Sequence, residues 1–103
     1  MKNNELVSVI IPTYKRPGML GRAIESVLNQ TYKNIEVLIV DDNTENDEYR
    51  KETEKFMLKY LADKRVLYIK HKENQGGSIA RNTGVDKSHG EYISFLDDDD
   101  EYL

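Results

Sequence analysis

The sequence predicts an α/β fold, with a Rossmann-like, mostly parallel sheet and helices on both faces. Short β-branched apolar runs alternate along the chain with segments of helical periodicity. The apolar runs are nearly continuous, as is typical of strands covered on both sides. Helices that connect parallel strands by right-handed crossovers lie over the sheet. These three observations together indicate strand–helix–strand units rather than a helical bundle or an all-β domain.

Four segments are predicted to be strands. Pro12 ends the first because proline has no amide hydrogen for the sheet ladder, and Gly90 precedes the last as a turn residue. The predicted strands are Val7–Ile11, Ile35–Val40, Val66–Ile69 and Tyr92–Leu96.

The first predicted helix follows the first strand and carries one continuous apolar stripe. Its members recur at helical spacing and are Leu20, Ala23, Ile24, Val27 and Leu28. Such a stripe is expected to pack on the sheet.

Two further helices are predicted from capping signals. Asp47 is a suitable N-cap for the second helix, with Glu48 in its first turn. One side of that helix is expected to contain Tyr49, Thr53, Phe56, Met57, Tyr60 and Leu61. The third helix is predicted over about residues 78–86, after two glycines, with Ile79, Ala80 and Thr83 facing inward.

Composition predicts a single domain over residues 1–103 and limits its partners. Fifteen Lys and Arg residues against 19 Asp and Glu residues give a net charge of −4. This charge argues against a general basic surface for nucleic acid or an anionic membrane. The chain has no cysteine, which excludes a disulfide framework and suits a reducing, cytoplasmic location. Its early apolar run is too short for a membrane span.

An acidic run, Asp97–Asp100, directly follows the last predicted strand. Adjacent carboxylates repel one another unless a cation lies among them, and Mg²⁺ or Mn²⁺ prefers such oxygen ligands. In an extended chain, Asp97 and Asp99 point one way and Asp98 and Asp100 the other. The residues alone leave two interpretations open: a metal site, or a solvated acidic turn.

Other candidate residues lie at the same predicted edge, where open parallel sheets bind ligands. They are Pro12, Thr13, Tyr14, Arg16, Asp41, Asp42, Arg81 and Asn82. Asp41 and Asp42 suit either an Asx turn or hydrogen bonds to a base or ribose. Arg81 and Asn82 suit either a phosphate or base at a helix N-terminus or a solvated surface. Neither His71 nor His89 is given a role.

Five segments, in order and at normal spacing, carry a resemblance that covers essentially the whole chain. They are VSVIIPTYKR at 7–16, SVLNQTY at 26–32, VDDNT at 40–44, NQGGSIARNTG at 74–84 and FLDDDD at 95–100. In these segments the chain resembles the family-2 inverting glycosyltransferases of GT-A fold. The resemblance implies the N-terminal, donor-binding part of that fold.

The resemblance also implies roles for individual residues. The Pro12–Tyr14 turn and Asp42 would hold the uridine of a UDP-sugar, and Arg81 would lie near the base or the phosphates. Asp97–Asp99 match the family's D-x-D element, in which Asp99 would be the direct ligand of Mn²⁺ or Mg²⁺, together with Asp97. The metal would bridge the diphosphate and stabilise the leaving group.

The family's general base lies downstream of the D-x-D element and is therefore expected beyond Leu103, so no catalytic residue is assigned within the chain. The resemblance implies a parent enzyme that transfers sugar to a saccharide, lipid or protein acceptor, in the cytoplasm or at the inner face of the membrane. The 103-residue chain is expected to be inactive alone. Its incomplete sheet is expected to self-associate.

Two other function classes fit the sequence less well. A phosphoacceptor signalling module needs an acidic pair directly after its first strand, where this chain has Pro12 and Thr13. A sugar nucleotidyltransferase needs a glycine-rich N-terminal loop followed by arginine, which this chain lacks.

Overall fold

Four parallel strands form the sheet at the centre of the protein, in a computed structural model that describes residues 5–100. The strands are β1 (Val7–Thr13), β2 (Ile35–Asp41), β3 (Val66–Lys70) and β4 (Tyr92–Phe95). Their order across the sheet is β3-β2-β1-β4, and every pair is parallel. The predicted α/β class and parallel sheet are therefore confirmed.

Three helices connect the strands: α1 (Pro17–Leu28), α2 (Glu48–Met57) and α3 (Gly77–Lys87). Asp47 caps α2 as predicted, because its side chain accepts a 2.7 Å hydrogen bond from the Tyr49 amide. The predicted length of α2 was wrong at its end. After Met57 the chain continues in turns in which Tyr60 N donates to Met57 O, and Leu61 is exposed.

The helices lie on both faces of the sheet, as predicted. The buried stripe of α1 packs with Met57 of α2 against one face, which includes Val9 and Val37. On the other face, Ala80 of α3 packs in a smaller cluster with Ile10, Leu38 and Val40. All seven residues of β2 are buried. β2 reads as an almost unbroken apolar run because both of its faces are covered.

Helix α3 contacts the sheet through small residues, which confirms the inward position predicted for Ala80 and corrects the one predicted for Ile79. Ala80 and Gly84 are buried, whereas Ile79 is exposed and Thr83 is half-buried. A Cβ atom at Gly84 would lie 2.4 Å from Cγ2 of Ile10, so the helix approaches β1 closely only because this residue is glycine.

The strand order places a topological switch point beside β1. From β1 the chain proceeds outward through β2 and β3 on one side, and it returns to β4 on the other. Ligands of open α/β sheets bind at the carboxyl ends of strands that flank such a point. Among residues 5–100, no helix combines the length and apolarity required to cross a membrane.

Candidate functional site

A cleft of about 510 Å³ opens at the carboxyl ends of β1 and β4. Most of the predicted site residues line it: Pro12, Thr13, Tyr14, Arg16, Asp42, Arg81, Asp97, Asp98 and Asp99. The cleft also includes Asn74, Gly76, Gly77 and Ala80, which had no predicted role in the site. The strand ends and the start of α3 therefore converge on one concave surface.

Asp98 joins the end of β4 to the end of β1. Its carboxylate accepts a 2.9 Å hydrogen bond from the Thr13 hydroxyl, and Arg16 Nη1 lies 3.3 Å from it. Burial raises the pKa of Asp98 above its ordinary value, because it outweighs the opposing effects of Thr13 and Arg16. Arg16 also contacts Asp99 at 2.9 Å. The position of Asp98 indicates a structural role in the floor of the cleft.

The other three aspartates of the run form an exposed acidic loop, defined as Asp97, Asp99 and Asp100. One carboxylate oxygen from each lies within 4.8 Å of the others. The predicted alternation was wrong for Asp100, which joins Asp97 and Asp99 instead of pointing away from them. The chain turns here, with Asp100 N donating to Asp97 O at 3.0 Å, and a turn does not keep the two-residue period of a strand. Three close carboxylates suit Mg²⁺ or Mn²⁺.

Asp42 lies at the opposite side of the cleft and holds the loop that leads into α3. One carboxylate oxygen accepts from Gln75 N at 2.9 Å. The other accepts from Asn74 Nδ2 at 2.7 Å and from Gly76 N at 2.9 Å. Gly76 has φ +97°, a backbone conformation that glycine adopts easily, and it precedes the first residue of α3. Asp42 therefore organises the cleft wall as well as lining it.

His71 is a buried member of this site that had no predicted role. Its Nδ1 lies 2.8 Å from Asp42 Oδ1, and its Nε2 lies 2.8 Å from Thr83 Oγ1. The pairing of β2 with β3 explains why His71 lies beside Asp42. Asp41 is in register with Lys70, so the next residue of each strand lies at the same edge.

Asp41 does not reach the cleft, so its predicted contact with the nucleotide-sugar is corrected. The side chain is fully buried, and Arg50 Nε lies 3.1 Å from Asp41 Oδ2. Its other oxygen accepts from the amide and the side chain of Asn43 at 2.9 and 2.8 Å. Burial, followed by a hydrogen bond to Asp41, raises the pKa of Tyr68. Asp41 is thus part of a buried network beneath the loops.

Asn82 is exposed and is not among the residues that line the cleft. It follows Arg81 on α3, and one residue rotates a helix by about 100°, which turns Asn82 to another side. The general base expected beyond Leu103 lies outside the described residues.

The family model for glycosyl transferase family 2 matches residues 8–103. An uncharacterised glycosyltransferase of Rickettsia bellii is 50% identical over 91% of the chain, which spans 13% of that protein. The putative colanic acid biosynthesis glycosyl transferase WcaA of Escherichia coli is 41% identical over 99% of the chain, which spans 35% of it. The chain thus spans only part of the length of these relatives.

Solved structures share the fold. S. aureus TarS 1-349 in complex with UDP has a TM-score of 0.79 at 28% identity, over 92% of this chain and 28% of that TarS 1-349 chain. The mannosyltransferase PcManGT of Pyrobaculum calidifontis, in complex with GDP-Man and Mn²⁺, has a TM-score of 0.77 at 23% identity, over 93% of this chain and 28% of its own. The architecture is that of GT-A glycosyltransferases. On the match to the family model, the chain belongs to glycosyl transferase family 2.

Proposed function

We propose that the chain is the donor-binding part of a glycosyltransferase and binds a nucleoside-diphosphate sugar together with a divalent cation. The observation that carries this proposal is one cleft with two chemically different sides. Asp42 and Arg81 lie at one side, and the acidic loop lies at the other. A nucleoside diphosphate has a matching polarity, with a hydrogen-bonding base at one end and a metal-binding diphosphate at the other.

Uridine is the proposed nucleoside. The exposed ring of Tyr14 offers a face for a base, and Arg81 offers hydrogen-bond donors on the same surface. The UDP complex of TarS, whose sequence is 28% identical, supports this choice.

Asp97 and Asp99, with Asp100, are the residues that would hold Mn²⁺ or Mg²⁺. When bound, the metal would neutralise the diphosphate and stabilise the charge that develops on the leaving group. Without a cation, the exposed carboxylates would repel the diphosphate. Arg16, which pairs with both Asp98 and Asp99, partly offsets that charge on the protein side.

For the whole enzyme we propose inverting transfer of the sugar to a saccharide, lipid or protein-linked acceptor, at or near the cytoplasmic side of a membrane. The similarity to a protein named for colanic acid biosynthesis supports a polysaccharide product. The metal-binding aspartates and the nucleoside side of the cleft would contribute donor binding. The acceptor-binding site and the general base would come from parts of the enzyme outside these residues.

Calorimetric titration with UDP tests the proposal directly. We expect UDP to bind in Mn²⁺ and to bind roughly tenfold or more weakly in EDTA, because the diphosphate then meets unscreened carboxylates. Asp99→Asn should remove the difference between the two conditions. The matched control is Asp86→Asn, the same change at an exposed position near the end of α3.

Equal UDP affinity in Mn²⁺ and EDTA for the unmodified protein would contradict the metal assignment. Absence of UDP binding in both would contradict the nucleotide assignment. A thermal shift with acetyl phosphate and Mg²⁺, and none with UDP and Mn²⁺, would favour a signalling module instead.

A further inference from the structure

His71 connects the two walls of the nucleoside side of the cleft. It directly follows β3, and its backbone amide donates to Asp41 O at 3.0 Å, which extends the sheet ladder by one residue. Its carbonyl accepts a hydrogen bond from Nη2 of the buried Arg50. The backbone of His71 is therefore held from two sides. Its ring lies between Asp42, at the end of β2, and Thr83, on α3.

The two ring nitrogens have different roles. An ionised carboxylate only accepts hydrogen bonds, so Nδ1 carries the proton and donates to Asp42. In the neutral ring, Nε2 is then the acceptor, and the Thr83 hydroxyl donates to it. The side chain of His71 is buried, with 8% of it exposed to solvent. Neither contact is therefore easily replaced by water.

The contact with Asp42 matters because that carboxylate has several simultaneous donors. Three donors come from the loop at 74–76: the side-chain amide of Asn74 and the backbone amides of Gln75 and Gly76. A carboxylate offers about four lone-pair sites, so the His71 bond completes its set. Loss of that bond leaves Oδ1 with only the Gln75 amide and allows the carboxylate to rotate.

We propose that His71 is a positioning residue for nucleoside binding: it orients the Asp42 carboxylate and, through Asp42 and Thr83, holds the loop at 74–76 and α3 in place. The effect on nucleoside affinity rests on the proposed function. The effect on Asp42 and the loop does not. His71 contacts the walls of the cleft and is not itself among the residues that line it.

Two substitutions test the roles of the two ring nitrogens separately. In His71→Asn the side-chain amide reaches the position of Nδ1 and can still donate to Asp42, whereas in His71→Gln it reaches the position of Nε2 and leaves Asp42 without its donor. We expect His71→Gln to bind uridine roughly tenfold more weakly, and His71→Asn to remain within about twofold of the unmodified protein. The control is His89→Gln, at a histidine whose side chain is 68% exposed and contacts Glu36.

Uridine titration by calorimetry is combined with hydrogen exchange at the amides of Gln75 and Gly76. In His71→Gln these amides should exchange faster, and in His71→Asn they should keep their protection. A role in filling space alone would weaken both variants equally and would follow their loss of thermal stability. Equal behaviour of the two variants, or unchanged exchange in His71→Gln, would overturn the proposal.

The two proposals fail separately. If the unmodified protein binds no uridine or UDP, the proposed function fails, and the exchange rates still decide whether His71 holds Asp42 and the loop. If His71→Gln does not fold, Thr83→Val removes the partner of Nε2 while preserving the shape of the side chain. Like His71→Asn, Thr83→Val keeps the contact between Nδ1 and Asp42, so we expect the amides of Gln75 and Gly76 to keep their protection, and faster exchange at these two amides would overturn the proposal.

Discussion

Asp41 and Asp42 are adjacent in sequence and have different surroundings in the structure. Asp41 points below the loops, where it meets Arg50 and Asn43 in a fully buried network. Asp42 points toward the loop at 74–76 and toward His71. Successive side chains at a strand end point to opposite sides, so one aspartate stabilises the fold and the other lines the cleft. Substitutions at the two positions should have different effects.

We expect Arg50→Met to lower the free energy of unfolding by about 3–5 kcal/mol, because it leaves the carboxylate of Asp41 buried without its cation. Arg65→Met is the matched control. Arg65 pairs with Asp63 at 2.8 Å, but both side chains are about one-third exposed, and such a pair contributes about 1 kcal/mol or less. Urea unfolding measures both changes. Equal losses would mean that the Asp41–Arg50 pair is no more important than a surface pair.

Nucleoside binding should separate Asp41 from Asp42. Asp42→Ala is expected to weaken uridine and UDP alike by roughly 1–3 kcal/mol, because the loop at 74–76 loses the acceptor that holds it in the wall of the cleft. Asp41→Asn should leave the uridine affinity of the folded protein unchanged. Calorimetry on samples shown to be folded by circular dichroism provides the comparison. A larger loss of uridine affinity in Asp41→Asn than in Asp42→Ala would mean that Asp41 belongs to the binding site.

At the scale of elements, close packing between α3 and β1 sets the shape of the cleft, because α3 also carries Arg81. Gly84→Ala should lower the free energy of unfolding by about 1–3 kcal/mol, since the new Cβ would lie 2.4 Å from Cγ2 of Ile10. Gly18→Ala in α1 is the control. No atom lies within 4 Å of a Cβ there, so the gain in helix propensity should leave stability unchanged or higher by up to about 1 kcal/mol. Thermal or urea unfolding distinguishes them, and a stabilising Gly84→Ala would show that the helix can move away.

A second contact between elements lies at the opposite end of the sheet, where Glu36 joins β1 to the segment before β4. Glu36 accepts 2.6 Å hydrogen bonds from the Ser8 hydroxyl and the His89 amide. Burial alone would raise the pKa of Glu36, but these hydrogen bonds outweigh it, so the pKa lies below its ordinary value. The ionised form is therefore favoured by folding.

The stabilisation by Glu36 should depend on pH. Because the folded-state pKa is lowered, the contribution is fully present above the unfolded value of about 4.5 and is lost as pH falls through the folded value. Glu36→Gln should be less stable than the unmodified protein at pH 7, by about 1–3 kcal/mol, and the difference should shrink on acidification below pH 4.5. Urea unfolding of both proteins across this pH range shows whether the difference in stability shrinks or grows in acid. A difference that grows in acid would contradict the assignment.

At the scale of the whole molecule, β4 is an edge of the described sheet and carries exposed apolar side chains. Ile93 and Phe95 pair with Ser8 and Ile10, which places them on the same face as the cluster of α3 with β1 and β2, and both side chains are exposed. An unpaired edge beside apolar surface is a site for strand pairing between chains.

We expect the 103-residue chain to self-associate through β4. Light scattering over a concentration series should show a dimer, and Phe95→Lys should shift the protein toward monomer. The control is Leu58→Lys, at a residue that is more exposed, 69% against 48%, and lies directly after α2. A monomer at every concentration would show that the exposed face of β4 is stable in water.

The sequence by itself determined the elements and the edge of the sheet at which the candidate site lies. Apolar runs predicted all four strands, and the stripe on α1 and the cap at Asp47 predicted two helices, because these features depend on side-chain period and local hydrogen bonds. The parallel arrangement then placed Asp42 and Asp97–Asp99 at one edge. These features follow from local geometry and from the handedness of crossovers, both of which can be read from one chain.

Only the tertiary structure decided which side chains meet. His71 and Asp42 are 29 residues apart, and Thr13 and Asp98 are 85 apart, so their contacts depend on strand register and not on local pattern. The chain turns after Asp97 and brings Asp100 beside it, whereas the sequence prediction assumed an extended chain. The glycine at position 84 allowed α3 to pack on a face that apolar spacing does not predict. Local sequence determines backbone shape and side-chain period, whereas the partner of a buried polar group is determined by the other strands and helices that pack around it.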